Sequence, residues 1–182
     1  MPELSSHDSA NPEFARVIEV RQIRDLDSFD FDIAPTSGEA EALARLLDAR
    51  AVRKLRFAGR LLPIDRGGWE LEGALGATVV QSCVVTLDPV TTRIDQPVRR
   101  RFLPATDVRG AEILVDPEED DEIEPLSGRI DLGLVALEAL ALALPAYPRK
   151  PGAALDPVAT DGDEPRPFAA LAALRDKLGG ES

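Results

Sequence analysis

Apolar and polar residues alternate with a period of two in two stretches near the middle of the chain, residues 54–61 and 69–79. Such alternation is typical of strands that bury one face and expose the other. The Asp-Arg-Gly-Gly sequence at 65–68 lies between them and is a turn signal. The pattern therefore predicts two antiparallel strands. Their main apolar positions are Leu55, Phe57, Leu61, Trp69, Leu71, Leu75 and Val79.

A second hairpin is predicted directly after the first. Residues 80–87 and 90–97 flank Asp88-Pro89, a pair typical of turns. Residues 98–103 are expected to continue the second strand of this hairpin. The centre of the chain is therefore predicted to be a set of antiparallel strands joined by short turns.

Two shorter strands and a helix are predicted before this region. Residues 13–22 are predicted to form the first strand, and residues 25–33 a short edge strand in which apolar and acidic residues alternate. Thr36 and Glu39 have the spacing of a capping box, in which each side chain bonds the other residue's backbone N–H. A helix is therefore expected over residues 39–49.

A second helix is predicted over residues 131–144, with Asp131 as its N-cap and Pro145 as its end. Its residues are apolar almost all round, so we expect burial on most sides. Glu138 is the exception and is expected to reach solvent or a basic strand. The core is predicted to contain Leu43, Leu47, Phe57, Leu61, Trp69, Leu71, Leu75, Val79, Leu137, Leu140 and Leu144.

These elements together predict an α+β fold: a twisted antiparallel sheet or partly closed barrel packed by two helices, with a short C-terminal helix. Residues 1–11 are interpreted as a flexible tail and residues 12–145 as a single domain. That domain is expected to include an acidic loop at 107–125. Residues 146–165 are interpreted as a linker, and residues 166–182 as the C-terminal helix.

The composition excludes several classes of catalytic and metal-binding site. The 182 residues include one cysteine, Cys83, and one histidine, His7. No disulfide can form within the chain, and a zinc site of four Cys and His ligands cannot be built from it. Triads that need a histidine base are very poorly supported. The sequence also lacks phosphate-binding glycine motifs, so we predict a protein that is not an enzyme and has no cofactor.

No membrane association is expected. The first ten residues lack the basic and apolar segments of a signal peptide. The apolar run at 132–145 is shorter than the roughly 20 residues that span a bilayer. These observations predict a cytoplasmic protein.

Charge is distributed unevenly along the chain, whose net charge is −12. Residues 43–66 contain seven basic and two acidic residues, and residues 91–104 contain four basic residues and one acidic residue. Basic strands of this kind are candidates for contact with RNA phosphates. Alternatively, Arg56 or Arg60 pairs across the first hairpin with Glu70 or Glu72. The RNA-binding candidates are Lys54, Arg56, Arg60, Arg99, Arg100 and Arg101.

The acidic residues are concentrated in residues 107–125, which contain nine acidic residues and one basic residue, a net charge of −8. Such a run is interpreted as a solvated loop, as a segment that covers the basic face, or as a contact for a basic protein. The candidates for contact with a protein partner are Asp116, Glu118, Glu119, Asp120, Asp121, Glu122 and Glu124.

Six sequence segments together resemble the YceD family, named for accumulation of the large ribosomal RNA subunit. They are PEFAR (12–16), QSCVVTLDPV (81–90), FLP (102–104), IDLGLVALEALALALP (130–145), YPRKPG (147–152) and RPFAALAAL (166–174). The resemblance extends roughly from Pro12 to Lys177. It implies a non-enzymatic ribosome-biogenesis factor that supports accumulation of large-subunit (23S) ribosomal RNA.

One position departs from the family pattern. Members typically carry Cys-x-x-Cys-Leu before the proline turn, whereas here the first Cys matches Cys83 and the second position is Thr86. We therefore interpret Cys83 as structural and expect no metal. The implied partners are large-subunit ribosomal RNA or its precursor, or a basic ribosomal or assembly protein. The alternative is a small-molecule-binding or carrier protein on a β-rich scaffold.

Overall fold

The predicted hairpins are the centre of a five-stranded sheet in the computed structural model, which describes residues 13–104 and 122–154. Its strand order is β2-β3-β4-β5-β6, and β1 pairs with β7 in a separate two-stranded sheet. The strands are β1 (Val17–Glu19), β2 (Phe29–Ile33), β3 (Ala51–Ile64), β4 (Gly68–Ser82), β5 (Pro89–Pro104), β6 (Glu122–Leu126) and β7 (Arg129–Asp131). The helices are α1 (Val20–Ile23), α2 (Ser37–Leu46) and α3 (Leu132–Ala143).

The two predicted hairpins share one long central strand. β4 is continuous through Gly68–Ser82, so residues 69–79 and the start of 80–87 belong to the same strand. β5 likewise runs unbroken through Pro97, so both strands are longer than the turn signals predict. The presence of helices and of a mainly antiparallel sheet confirms the α+β class.

The expectation of a purely antiparallel sheet is wrong at β6. Residues 122–126, predicted to lie largely in the acidic loop, form a strand that pairs parallel to β5. Parallel strands need a long connection, and residues 105–121 supply enough chain for one. Across the described residues the sheet has β2 and β6 at its edges and is not closed into a barrel.

The first predicted strand, at 13–22, is also shorter than expected. Its strand pairing covers Val17–Glu19, and Val20–Ile23 forms a short helix instead. This helical turn places Ile23 in the core with no exposed surface. Burial of Ile23 thus offsets the loss of strand pairing.

The predicted capping box begins α2. The Glu39 N–H donates to Thr36 Oγ1 at 3.3 Å, and the Thr36 N–H donates to Glu39 Oε2 at 2.7 Å. Arg16 also donates to Glu39 Oε1, at 2.8 Å. The Arg16 bond is the main cause that lowers the pKa of Glu39 to about 2. The helix lies two to three residues earlier than the predicted range, 39–49.

Asp131 caps α3 as predicted. Its Oδ1 accepts from the backbone N–H groups of Gly133 and Leu134, at 3.0 and 3.3 Å, and from that of Arg16 at 2.9 Å. The helix is less buried than its composition predicts, because one side remains in solvent. Leu142 is 76% exposed, whereas Leu140 is fully buried.

The inner face of the five-stranded sheet packs against α2, α3 and the segment before β1 in one core. Eight of the eleven predicted core residues are buried, and Leu47, Leu137 and Leu144 are partly buried against the core. Gly73 permits close packing here. A Cβ at Gly73 would lie 2.7 Å from the ring of Phe57.

Candidate functional site

The outer face of the sheet carries charges of alternating sign across four strands. Asp30 on β2 lies opposite Arg60 on β3, Arg60 opposite Glu72 on β4, and Glu72 opposite Arg99 on β5. Opposite charges on directly facing positions attract one another. This face is therefore a balanced array of charges and not a uniformly basic surface.

Three of the candidate arginines form ion pairs on this face. Arg101 Nε lies 3.3 Å from Glu70 Oε1, and an Arg99 nitrogen lies 3.5 Å from Glu72 Oε1. The expected placement of Arg60 across from Glu72 is present in the register of β3 and β4. The ion pairs within 4 Å that the structure describes for Glu70 and Glu72, however, are made with Arg101 and Arg99 on β5.

Arg56 forms a two-pronged ion pair with Asp32 on β2. Hydrogen bonding from Arg56 lowers the pKa of Asp32, and the same bond raises the pKa of Arg56. Arg93 and Asp95 form an equivalent pair on β5, and Arg93 lowers the pKa of Asp95. All four side chains are about half exposed or more, so these ion pairs contribute little to stability.

Arg100 lies on the other side of the sheet from Arg99 and Arg101, as strand alternation predicts. It is 4% exposed, and its guanidinium contacts the carboxylates of Glu124 on β6 and Glu138 on α3. The prediction that Glu138 reaches a basic strand is confirmed. Arg100 is consequently part of the packing between sheet and helix and does not belong to the surface that the other candidates form.

A β-bulge interrupts the pairing of β3 with β4 between Arg53 and Arg56. Lys54 lies within it in the left-handed backbone region, at φ 52°. Bulges redirect side chains locally. Arg53 and Lys54 are both exposed here, and Arg60 is exposed six residues further along the strand. Among the described residues, none of these three forms an ion pair.

Arg53 was absent from the sequence-based candidates although it belongs to the basic stretch 43–66. Two consecutive basic residues, Arg53 and Lys54, interrupt the period-two alternation. That interruption is the sequence signal of the bulge, because an extra residue must be accommodated in one strand.

Most of the acidic candidates lie outside the residues whose side chains the structure describes. These are Asp116, Glu118, Glu119, Asp120, Asp121 and Glu122. Glu124 is described, and it contacts Arg100 at the junction of β5 and β6. The structure therefore gives Glu124 a role in packing.

Cys83 is fully buried in the turn that joins β4 to β5. Its Sγ accepts from the backbone N–H groups of Val85, Thr86 and Lys150, at 3.4–3.5 Å. The Thr86 side chain, followed by the backbone N–H groups of Lys150 and Thr86, lowers the pKa of Cys83 to about 6. Cys83 thus holds the turn against residues 148–150.

One cavity of about 210 Å³ lies between β6, β7 and α3, lined by apolar residues such as Phe102 and Leu134 and by charged residues such as Arg129. Ligand pockets commonly occupy about 300–1,000 Å³. This cavity is smaller than that range and gives the carrier alternative little support.

The comparison with protein families decides the assignment. Residues 71–175 match the family model described as large ribosomal RNA subunit accumulation protein YceD. The chain belongs to the YceD family. The match includes the Cys83 segment and the segments at 130–145 and 147–152, whereas the segment at 12–16 lies before it.

Two further comparisons add no relatives to the YceD assignment, because neither a curated protein nor a solved structure matches the chain. Within residues 13–104 and 122–154, His, Cys, Asp and Glu form no group of three that would hold a metal ion. Over the same residues, no helix is long and apolar enough to cross a membrane.

Proposed function

We propose that this YceD-family protein acts in the cytoplasm, without catalysis, to support accumulation of large-subunit (23S) ribosomal RNA by contacting that RNA or its precursor. The family match supports the role in ribosomal RNA accumulation. RNA contact is the route that the described charges favour. The contacts are assigned to the outer face of the sheet.

The observation that carries the RNA route is the exposed basic group at the bulge, Arg53 and Lys54, together with Arg60 on the same strand. An unpaired surface cation can neutralise a phosphate without first breaking an ion pair. Phosphate contacts of this kind position an RNA without a deep pocket. Arg56, Arg99 and Arg101 are secondary contacts, because each must first leave a carboxylate on its own face.

The balanced charge around this group also has a consequence for selectivity. Asp30, Asp32, Glu70 and Glu72 lie beside the arginines on the outer face. Their repulsion of phosphates weakens binding to arbitrary RNA, so that a correctly placed backbone is favoured over others. The carboxylates thus limit non-specific binding.

The alternative route is contact between the acidic segment and a basic ribosomal or assembly protein. Glu124, the one acidic candidate whose side chain is described, already contacts Arg100 within the fold. The other acidic candidates lie outside the side chains that the structure describes, so the protein route is kept as an outcome of the test.

The test is a pull-down of tagged protein from native cytoplasm, with and without RNase, in which RNA and protein are both measured. We expect enrichment of large-subunit ribosomal RNA, and loss of ribosomal proteins after RNase. The variant Arg53→Gln/Lys54→Gln should lose most of this RNA. Capture of a ribosomal protein that survives RNase, and that depends on residues 116–121, would replace the RNA route by the protein route.

The matched control is Arg21→Gln/Arg24→Gln, which removes the same charge from two arginines that are mainly exposed. With purified protein and a 23S fragment, each lost phosphate contact should reduce the slope of log K against log salt by about 0.7–0.9. Equal slopes for the bulge variant and the control would contradict the assignment to the bulge. Simultaneous reversal of Arg99, Arg100 and Arg101 is unsuitable, because Arg100 is buried.

A further inference from the structure

Residues 145–150 lie alongside the turn that joins β4 to β5. Gln81 Nε2 donates to the Pro145 carbonyl at 3.3 Å, and the Val84 N–H donates to the Pro148 carbonyl at 2.9 Å. Lys150 reaches the same turn through its ammonium, 2.9 Å from Asp88. The two segments therefore form one surface at the end of the sheet, although more than fifty residues separate them in the chain.

This surface exposes large apolar side chains. Tyr147 is 78% exposed, Leu87 is 67% exposed, and Val84 is 46% exposed. Water contact with this much apolar area is unfavourable, and clustered exposed apolar residues commonly mark a binding site.

The backbone at Leu87 is held in a conformation that large side chains rarely adopt. Its φ is 62°, in the left-handed region, which is unfavourable for a residue other than glycine. Two bonds hold it there: the Leu87 N–H donates to the Cys83 carbonyl at 3.0 Å, and Arg50 donates to the Leu87 carbonyl at 2.6 Å. The fold thus keeps an apolar side chain in solvent at the expense of backbone strain.

Basic residues lie around these apolar side chains. Arg50, Arg149 and Lys150 are all exposed, and Arg50 is fixed by bonds to Ser82 and Leu87. Asp88 is the acidic residue of the turn, and it contacts Lys150. The charge at this end of the sheet is therefore positive and suits an anionic partner.

We propose that this turn patch, defined as Arg50, Val84, Leu87, Tyr147, Arg149 and Lys150, binds an unpaired segment of RNA. A base stacks on the Tyr147 ring and contacts Leu87, while Arg50 and Arg149 contact the adjacent phosphates. Stacking on exposed aromatic rings beside cations is the general means of holding single-stranded nucleic acid. The proposal rests on the proposed function and adds a second RNA-binding surface to the bulge residues Arg53 and Lys54. Arg50, which directly precedes β3, lies only three residues before Arg53 in the chain.

The test measures binding of the full chain to fluorescently labelled single-stranded A10 and U10 RNA by anisotropy. Tyr147→Ala should raise Kd at least about fivefold, which is the lower end of the loss when a stacked base loses its aromatic partner. Tyr147→Phe should bind as the unmodified protein does, because the ring is retained. Arg149→Ala should weaken binding and reduce the salt slope by about 0.7.

The control is Leu142→Ala, which removes an exposed apolar side chain from α3. It should leave Kd unchanged. The proposal is overturned if Tyr147→Ala binds both oligonucleotides as tightly as Leu142→Ala does. It is also overturned if a ten-base-pair duplex competes as well as single strands, since paired bases cannot stack on Tyr147.

The outcomes separate this proposal from the proposed function. If Arg53→Gln/Lys54→Gln loses 23S RNA while Tyr147→Ala does not, RNA contact stands and the turn patch is wrong. If the unmodified protein binds no RNA in either assay, both fail. If a protein captured after RNase is lost with Tyr147→Ala, the patch binds a protein partner and the RNA proposal is overturned.

Discussion

Arg99 and Arg100 are neighbours on one strand, yet they occupy opposite chemical environments. The Arg99 side chain is 67% exposed and meets one carboxylate, that of Glu72, at 3.5 Å. The Arg100 side chain is 5% exposed, and its contacts include the carboxylates of Glu124 and Glu138. A charge on the outer face retains its water, whereas a charge on the inner face depends on partners within the fold. The same residue type is therefore available to solvent on one face and part of the packing on the other.

The largest loss of unfolding free energy is expected when a new charge is placed on the buried side of α3. Leu140 on α3 is fully buried, so Leu140→Asp introduces a carboxylate with no partner. We expect a loss of several kcal/mol in the free energy of unfolding, enough to prevent folding. Circular dichroism and urea titration measure it.

Leu142→Asp is the matched control, because Leu142 lies two residues further along the same helix and is exposed. Its unfolding free energy should stay within about 0.5 kcal/mol of the unmodified protein. A cooperative, stable Leu140→Asp protein would show that the two sides of α3 are not distinguished as the structure describes.

A smaller loss is expected when a buried charge is removed. Arg100→Met leaves Glu124 and Glu138 without their shared cation. Because these carboxylates are 38% and 43% exposed and keep part of their hydration, the loss should be about 2–3 kcal/mol, less than for a fully buried pair. Arg99→Met should cost less than about 1 kcal/mol, since its pair with Glu72 is exposed. Urea unfolding of both variants measures the difference.

The triple variant Arg100→Met/Glu124→Gln/Glu138→Gln sharpens this comparison. It removes the carboxylates whose repulsion makes the single change costly, so much of the lost stability should return. Equal stabilities for the single and triple variants would mean that the carboxylates are not the reason for the loss.

The sequence predicts which face each arginine occupies, but not what it meets there. Alternation along residues 98–103 places Arg100 opposite Arg99, and Glu138 is the charged residue of an apolar helix. Both are local patterns. That Glu124 completes the group depends on the parallel pairing of β6 with β5. Such a pairing joins distant segments and leaves no periodic signal in either of them.

The candidate site is also only partly predictable from the sequence, because its ion pairs depend on contacts between distant segments. The basic stretch 43–66 predicts that β3 is positive, and the consecutive Arg53 and Lys54 indicate the bulge. The ion pairs depend on register: the pairing of β4 with β5 brings Glu72 opposite Arg99. The turn patch is less predictable still, because hydrogen bonds from Gln81 and Val84 bring residues 145–150 beside the turn. The sequence instead predicts a linker that begins at residue 146.

An intermediate loss of unfolding free energy is expected when the ion pair of Arg16 and Glu39 is removed. Their side chains are 19% and 25% exposed. The pKa of Glu39 is lowered to about 2, mainly by the Arg16 hydrogen bond, so its ionised form stabilises the fold. This stabilisation is complete above the ordinary pKa near 4.5 and is lost as the pH falls from there to about 2. It should amount to about 2 kcal/mol.

Glu39→Gln is the variant that tests it, by urea unfolding between pH 6 and pH 2. The variant should be less stable at pH 6, and its difference from the unmodified protein should shrink as the pH falls. Glu41→Gln, an exposed change on the same helix, should preserve the acid dependence. If the difference in unfolding free energy between Glu39→Gln and the unmodified protein stayed constant across this range, ionised Glu39 would not be the source of the stabilisation.

The smallest change in unfolding free energy is expected for the exposed ion pair of Arg99 and Glu72 on the outer face. In a double-mutant cycle with Arg99→Met and Glu72→Gln, the coupling energy should be about 0.2–1 kcal/mol in low salt. It should decrease further at 1 M salt, because the screening length there falls to about 3 Å, shorter than the 3.5 Å between the charges. The corresponding cycle with Arg100→Met and Glu138→Gln should give a larger coupling that salt reduces less. If the two couplings respond equally to salt, burial does not separate Arg99 from Arg100, and the contrast between a solvent-exposed face and a packed face fails.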